Sequence, residues 1–200
     1  MSLLSNIFSS RDEAWAKIAR EIGAYHTPGS FLSSGSLTLE YKNWEIKLDV
    51  FKKDKHPFTR IRAPFLRKTN FLFQIHRENK LSPVSKFLGV QDLQIGDEFF
   101  DRQFIIKSNG EQKIKELLDD EELKNYLSYQ PKVLLKIRHK KGFLFVKGHP
   151  DDVDELYFEC HGVLKNEEII NGLFILFKAM LDRLVAVDLA YKGRPNYQPN

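Results

Sequence analysis

The stretch "SLTLEYKNWEIKLDVF", residues 36–51, alternates apolar and polar side chains on both sides of Lys42–Asn43. Period-two alternation puts Leu37, Leu39 and Tyr41 on one face of a strand, and Trp44, Ile46, Leu48 and Val50 on one face of the next. A two-residue turn at Lys42–Asn43 pairs Tyr41 with Trp44, Leu39 with Ile46 and Leu37 with Leu48, so one face of the hairpin is wholly apolar. The same register opposes Glu40 to Glu45, a small like-charge penalty on the wet face that the apolar match outweighs. Hairpins join antiparallel neighbours, so this stretch selects an antiparallel sheet.

Outward toward the N-terminus, Ser10 and Glu13 have the spacing of a capping box. Ala14, Trp15, Ile18, Ala19 and Ile22 then repeat at helical spacing, Gly23 is a natural stop, and residues 26–36 compose a loop. Toward the C-terminus, residues 58–65 read as a strand whose Pro64 confines its end to a sheet edge or a bulge. Residues 71–78 read as a further strand, a short helix follows from about Pro83, and 103–107 form a fifth strand. Residues 111–128 have helical period, with Asp119 or Asp120 placed to cap a second segment. The segment 131–148 reads as a hairpin turning at "KKG", 155–162 as a strand, and 166–189 as a long helix.

Hairpins flanked by helices define an α+β fold, with a largely antiparallel sheet and the helices packed on one face. Residues 1–191 form a single domain in this reading, and 192–200 a disordered tail. A helix, a hairpin, further strands and a helix appear in outline in each half, which suggests an internal duplication making one continuous sheet.

The totals agree with a globular domain: 42% hydrophobic and 29% charged residues, with 16 phenylalanines against 2 methionines. This much apolar surface offsets the entropy of ordering the chain. A single cysteine excludes an internal disulfide and a cysteine-only zinc site, and points to a reducing, cytoplasmic setting. "MSLLSNIFSS" lacks a basic n-region, and the most apolar segment is broken by Asn171, Lys178, Asp182, Arg183 and Asp188, so the chain reads as soluble.

Chemistry is sought first in "LGVQDLQIGDEFFDRQFIIKSN", residues 88–109. Asp97 and Asp101 would serve a hydrolase as paired carboxylates if their environments split their pKa values, yet no His, Lys or metal ligand lies beside them in sequence. The structural reading explains more residues. Gly96-Asp97 is a turn signal, Phe99, Phe100 and Phe104 are apolar anchors, and Asp101 can accept from nearby backbone amides. Over about residues 88–147 the chain resembles a bacterial group of proteins of unknown function. They share an I-G-D-x-x-F-D-x-x-F strand entry followed by an L-L-acidic helix. The matching positions include Gly96, Asp97, Phe100, Asp101, Phe104, Leu117, Leu118 and Leu123. The resemblance implies a shared scaffold and brings no activity.

"GHPDDVDE", residues 148–155, gathers His149 with acids that could bind a divalent ion, but it lacks the central glycine and twelfth-position glutamate of a calcium loop. A solvated acidic turn is the simpler account. Cys160 and His161 are strand neighbours that point to opposite faces, so Cys160 is read as a small core residue. The basic run 51–68 offers Arg60, Arg62, Arg67 and Lys68 to an anionic surface or nucleic acid. A net charge of only +4 and the absence of any nucleic-acid motif argue against nucleic acid, and basic residues on an outer face also deter edge aggregation. Phosphate-binding, nucleophile-elbow and zinc-protease motifs are absent from the sequence. No cofactor and no metal are expected.

The last helix is apolar around more than half its circumference, as expected of a core helix, or of one whose second face meets another copy in a homodimer. The expected function is a non-catalytic binding or scaffolding module for a protein partner or an apolar ligand held between helix and sheet. A hydrolase using Asp97, Asp101 or the His149 loop is the alternative, with weak anionic-surface or nucleic-acid binding through 51–68 as a third.

Overall fold

The computed structural model describes residues 3–30, 34–77, 92–130, 133–139 and 148–197, with the backbone alone for 3–10. Among them the sheet is continuous, antiparallel throughout and ordered β1-β2-β3-β4-β8-β7-β5-β6. Its strands are β1 (Tyr25–Thr27), β2 (Ser36–Tyr41), β3 (Trp44–Lys53), β4 (His56–Leu66), β5 (Phe73–Arg77), β6 (Phe104–Ser108), β7 (Leu134–Arg138) and β8 (Val153–His161). The helices are α1 (Leu3–Ile22), α2 (Glu98–Gln103), α3 (Glu111–Leu118), α4 (Glu121–Ser128) and α5 (Glu167–Ala186). Strands β1 to β4 lie side by side in sequence order, and the other four described strands follow as 8-7-5-6.

The β2–β3 hairpin has the register that its alternation demands: Leu37↔Leu48, Leu39↔Ile46, Glu40↔Glu45 and Tyr41↔Trp44. Its turn holds Lys42 at φ 53, a left-handed conformation that costs an L-residue about 1 kcal/mol. Glu45 carries the expected electrostatic burden: burial first, and Glu40 second, raise its pKa. β4 pairs with β3 only as far as Arg62, whereas its pairing with β8 continues to Leu66. Pro64 therefore sits where β4 is an edge on the β3 side, and no ladder bond to β3 is lost.

Several expectations are corrected. Helix α1 starts at Leu3, well before the Ser10–Glu13 box, because nothing in 3–9 breaks a helix and an interior serine is only mildly unfavourable. Residues 25–27, the last two of which open the 26–36 segment read as loop, form β1 against the open edge of β2; three residues are too few to show an alternation. Residues 98–103 form a helix where only a turn was expected. Strand β7 lies between β5 and β8; residues 140–147, which hold the "KKG" turn and most of the second strand of the expected 131–148 hairpin, fall outside the described residues, as does the helix expected from Pro83.

Asp120 caps α4, accepting from the Leu123 amide at 3.0 Å, and Asn166 caps α5, accepting from Ile169 at 2.9 Å. Gly23 closes α1 at φ 71. The helices cover one sheet face, where Leu48, Ile61, Phe158, Leu135, Ile75 and Ile106 follow one another across strands β3, β4, β8, β7, β5 and β6. Helix α5 packs against both α1 and α4, so its wide apolar surface is covered within one chain, and Ile175 is its exposed large apolar residue. Cys160 is buried in this core beside Thr59. No helix among the described residues is long and apolar enough to cross a membrane.

Residues 192–197, read from sequence as tail, carry contacts. Arg194 Nη2 donates to Glu40 at 3.2 Å, Pro195 is buried, and the Tyr197 ring lies 4.9 Å from that of His149.

Candidate functional site

The acids of the strand-entry motif hold backbone. Asp97 is the N-cap of α2, its Oδ1 accepting from the Phe99 and Phe100 amides at 3.1 Å each. Asp101 turns back on the preceding loop, where Oδ1 accepts from Ile95 and Oδ2 from Gly96, both at 3.0 Å. Gly96 has φ 91, a conformation that suits glycine and fixes this turn. Phe100 and Phe104 are buried with ring centroids 4.5 Å apart, but Phe99 is 68% exposed. Adjacent helical residues lie about 100° apart, so Phe99 and Phe100 cannot both face the core.

A lysine does reach Asp97, and it comes from α4. Lys124 Nζ donates to Oδ2 at 2.6 Å, which depresses the Asp97 pKa, with the Phe100 amide contributing next. A cavity of about 480 Å³ opens beside this pair, and Lys115, Glu116 and Asp119 also line it. Among the described residues no histidine lines it.

His149 is buried near the start of β8. Its ring lies 6.1 Å from that of His139, whose Nδ1 is 3.1 Å from Asp154 Oδ1. Burial raises the Asp154 pKa, while Arg67, 3.8 Å away, and His139 oppose the rise. Asp151 and Asp152 are exposed in the turn before β8. Contacts of Asp97 and Asp101 stay within residues 95–124, whereas those seen for His149 run to 139 and 197. The motif acids and the His149 loop, offered by the sequence as alternatives for a hydrolase, thus have separate sets of contacts. Among the described residues no group of three or more His, Cys, Asp or Glu is placed to hold a metal ion.

Each of the four basic candidates faces a carboxylate of its own chain. Arg60 Nε and Arg62 Nη2 donate to Asp49 at 2.5 and 2.6 Å, Arg67 lies near Asp154, and Lys68 pairs with Asp188.

Sequence reasoning missed the larger pattern to which Asp49 belongs. On the sheet face away from the helices, Arg138 donates to Glu155 at 2.7 Å and the Tyr157 hydroxyl to Glu159 at 2.6 Å. Burial lowers the Lys136 pKa, and burial followed by Glu159 raises that of Tyr157. His76, on the same face, is 5% exposed, and among the described residues neither ring nitrogen has a hydrogen-bond partner. Its pKa is lowered, first by burial and then by Lys107. The signal was present as charged residues at alternate strand positions (Arg60 and Arg62, Lys136 and Arg138, Glu155 and Glu159). Which strands are neighbours was not.

A second cavity, of about 580 Å³, lies between the C-terminal end of α5 and the β2–β3 turn. Trp44, Val185 and Ala186 give it apolar walls, and Lys42, Asn43, Asp182 and Lys192 supply polar groups. Asp182 ties helix to hairpin, its Oδ2 accepting from the Tyr41 hydroxyl at 2.7 Å and its Oδ1 from Lys42 at 2.5 Å. Asn43 Nδ2 donates to the Lys192 carbonyl at 2.5 Å, which brings the segment after α5 to the same place. Trp44 is 2% exposed, and its indole N–H has no acceptor among the described residues.

Fold and cavity together define an α+β protein with a helix-covered antiparallel sheet and a half-apolar hollow where its last helix meets its first hairpin. Comparison with known protein families, curated proteins and solved structures finds no match to this chain.

Proposed function

We propose that this chain is a non-catalytic binding module that holds the apolar part of a small molecule in the hollow between α5 and the β2–β3 hairpin. The observation that carries the reading is the cavity itself. Its volume of about 580 Å³ falls within the range of ligand sites, and apolar walls with a few polar groups are their usual composition. The two acids first considered for catalysis both accept from backbone amides, which removes the main motive for an enzymatic reading.

A thermal-shift screen of small apolar and amphipathic molecules tests it, because a ligand that binds only the folded chain raises its Tm. Ala186→Trp fills the hollow from the end of α5 and should abolish the shifts. Wild-type shifts that persist in this variant would place binding elsewhere. A screen without any shift would remove the support.

The hydrolase alternative keeps one specific observation, the 3.1 Å approach of His139 Nδ1 to Asp154, a contact of the kind that orients a catalytic base. Turnover in a broad hydrolase panel that His139→Gln abolishes would favour it. Homodimerisation through α5 would rest on Ile175, the large apolar side chain which that helix exposes.

A further inference from the structure

We infer that the ligand of the α5–hairpin hollow is a small organic anion with an apolar body, an aryl or branched acyl carboxylate. This rests on the binding-module reading and adds the charge and polarity of the ligand.

The inventory of hydrogen-bonding groups around the hollow is lopsided. Its lining carboxylate, Asp182, already accepts at both oxygens, from Tyr41 and Lys42. Lys42 retains further N–H donors after that bond, and Lys192 is exposed with no ion pair among the described residues. Two lysines against one aspartate leave the lining with one positive charge in excess. A ligand suited to this lining brings acceptors and negative charge at its head, and apolar surface to lie along Trp44, Val185 and Ala186. An ammonium head would meet Lys42 and Lys192 at close range and find Asp182 occupied.

Three probes with one skeleton separate these requirements: 3-phenylpropanoate, 3-phenylpropan-1-ol and 3-phenylpropylamine. Their affinities are measured by calorimetry on the full chain, with tryptophan emission as a second signal. The carboxylate is expected to bind about tenfold more tightly than the alcohol, and the amine more weakly than either. Lys192→Gln keeps the backbone carbonyl that Asn43 holds. It should weaken the carboxylate about fivefold and leave the alcohol unchanged, the scale of a partly exposed charge pair. Equal affinity for all three probes would overturn the anion preference while leaving the binding module intact. Binding of none of them would overturn the inference, and the module reading would then stand or fall with its own screen. Carboxylate binding that Lys192→Gln does not alter, and that added salt does not weaken, would also overturn it.

Discussion

Lys124 Nζ lies 2.6 Å from Asp97 Oδ2, so the turn that opens α2 is tied to the first turn of α4, 27 residues further on. One carboxylate thereby caps a helix with one oxygen and anchors a second helix with the other. This double duty explains an aspartate at this position without any reaction.

Asp97→Ala should lower stability by about 1 kcal/mol through the lost cap, or about 2–4 °C in Tm. The pH dependence has a definite sign. The folded pKa of Asp97 is depressed, by Lys124 first and the Phe100 amide next. Its contribution is therefore complete above the unfolded value of about 4 and disappears as pH falls through the lower folded value. Melting curves of both proteins should converge in acid. A gap that stays constant down to pH 2 would contradict this account.

Asp49 receives two guanidinium groups and is 6% exposed. Asp49→Asn leaves Arg62, itself 4% exposed, with an uncompensated buried charge, and should destabilise by about 3 kcal/mol. Adding Arg62→Met should recover part of that loss. Urea denaturation of the single and double variants reads the result, and strictly additive losses would argue against the coupling.

Arg183 of α5 reaches the end of α3, its Nη2 donating to the Glu116 and Asp119 carbonyls at 2.6 and 3.1 Å. These are orphan carbonyls of a helix C-terminus, where a cation is favourable. Arg183→Met should cost about 2 kcal/mol and speed amide exchange in α3 more than in β3 or β4. Uniform exchange changes across the molecule would count against a local clamp.

His76→Leu should stabilise the protein by about 1 kcal/mol at neutral pH, because it removes two buried nitrogens that have no hydrogen-bond partner among the described residues. The gain should grow in mild acid. The His76 pKa is lowered by burial and then Lys107, so below about pH 6.5 the unfolded chain takes up a proton that the folded chain refuses. Native stability at this site is thus complete above pH 6.5 and declines as pH falls toward the lower folded value. Parallel Tm-versus-pH curves for the two proteins would show that His76 does not titrate this way.

Local physics was legible in the chain. Period-two alternation across residues 36–51 determined the β2–β3 register, since a slip of one residue would turn every apolar side chain outward. A cap at Asp119 or Asp120 was readable, because a cap acts within three residues, and Asp120 is the one that takes the role. The backbone duty of Asp101 was readable for the same reason, and Cys160 took its face from strand parity. Phe99 marks the limit, since its side depended on whether 98–103 formed a turn or a helix.

The sequence by itself determined most of the long elements, the β2–β3 register and the class of the fold, because each depends on periodicity and neighbours a few residues apart, whereas the short β1 and α2 escaped it. Only the tertiary structure decided that Lys124 meets Asp97, that Asp49 neutralises Arg60 and Arg62 within a charged layer spread over strands from both halves, and that Trp44 and Asp182 border one hollow. Trp44 and Asp182 lie far apart in the chain, as do the strands that build the layer. Their approach follows from the order in which strands close on one another, a choice governed by burial across the whole sheet, and no local pattern encodes it.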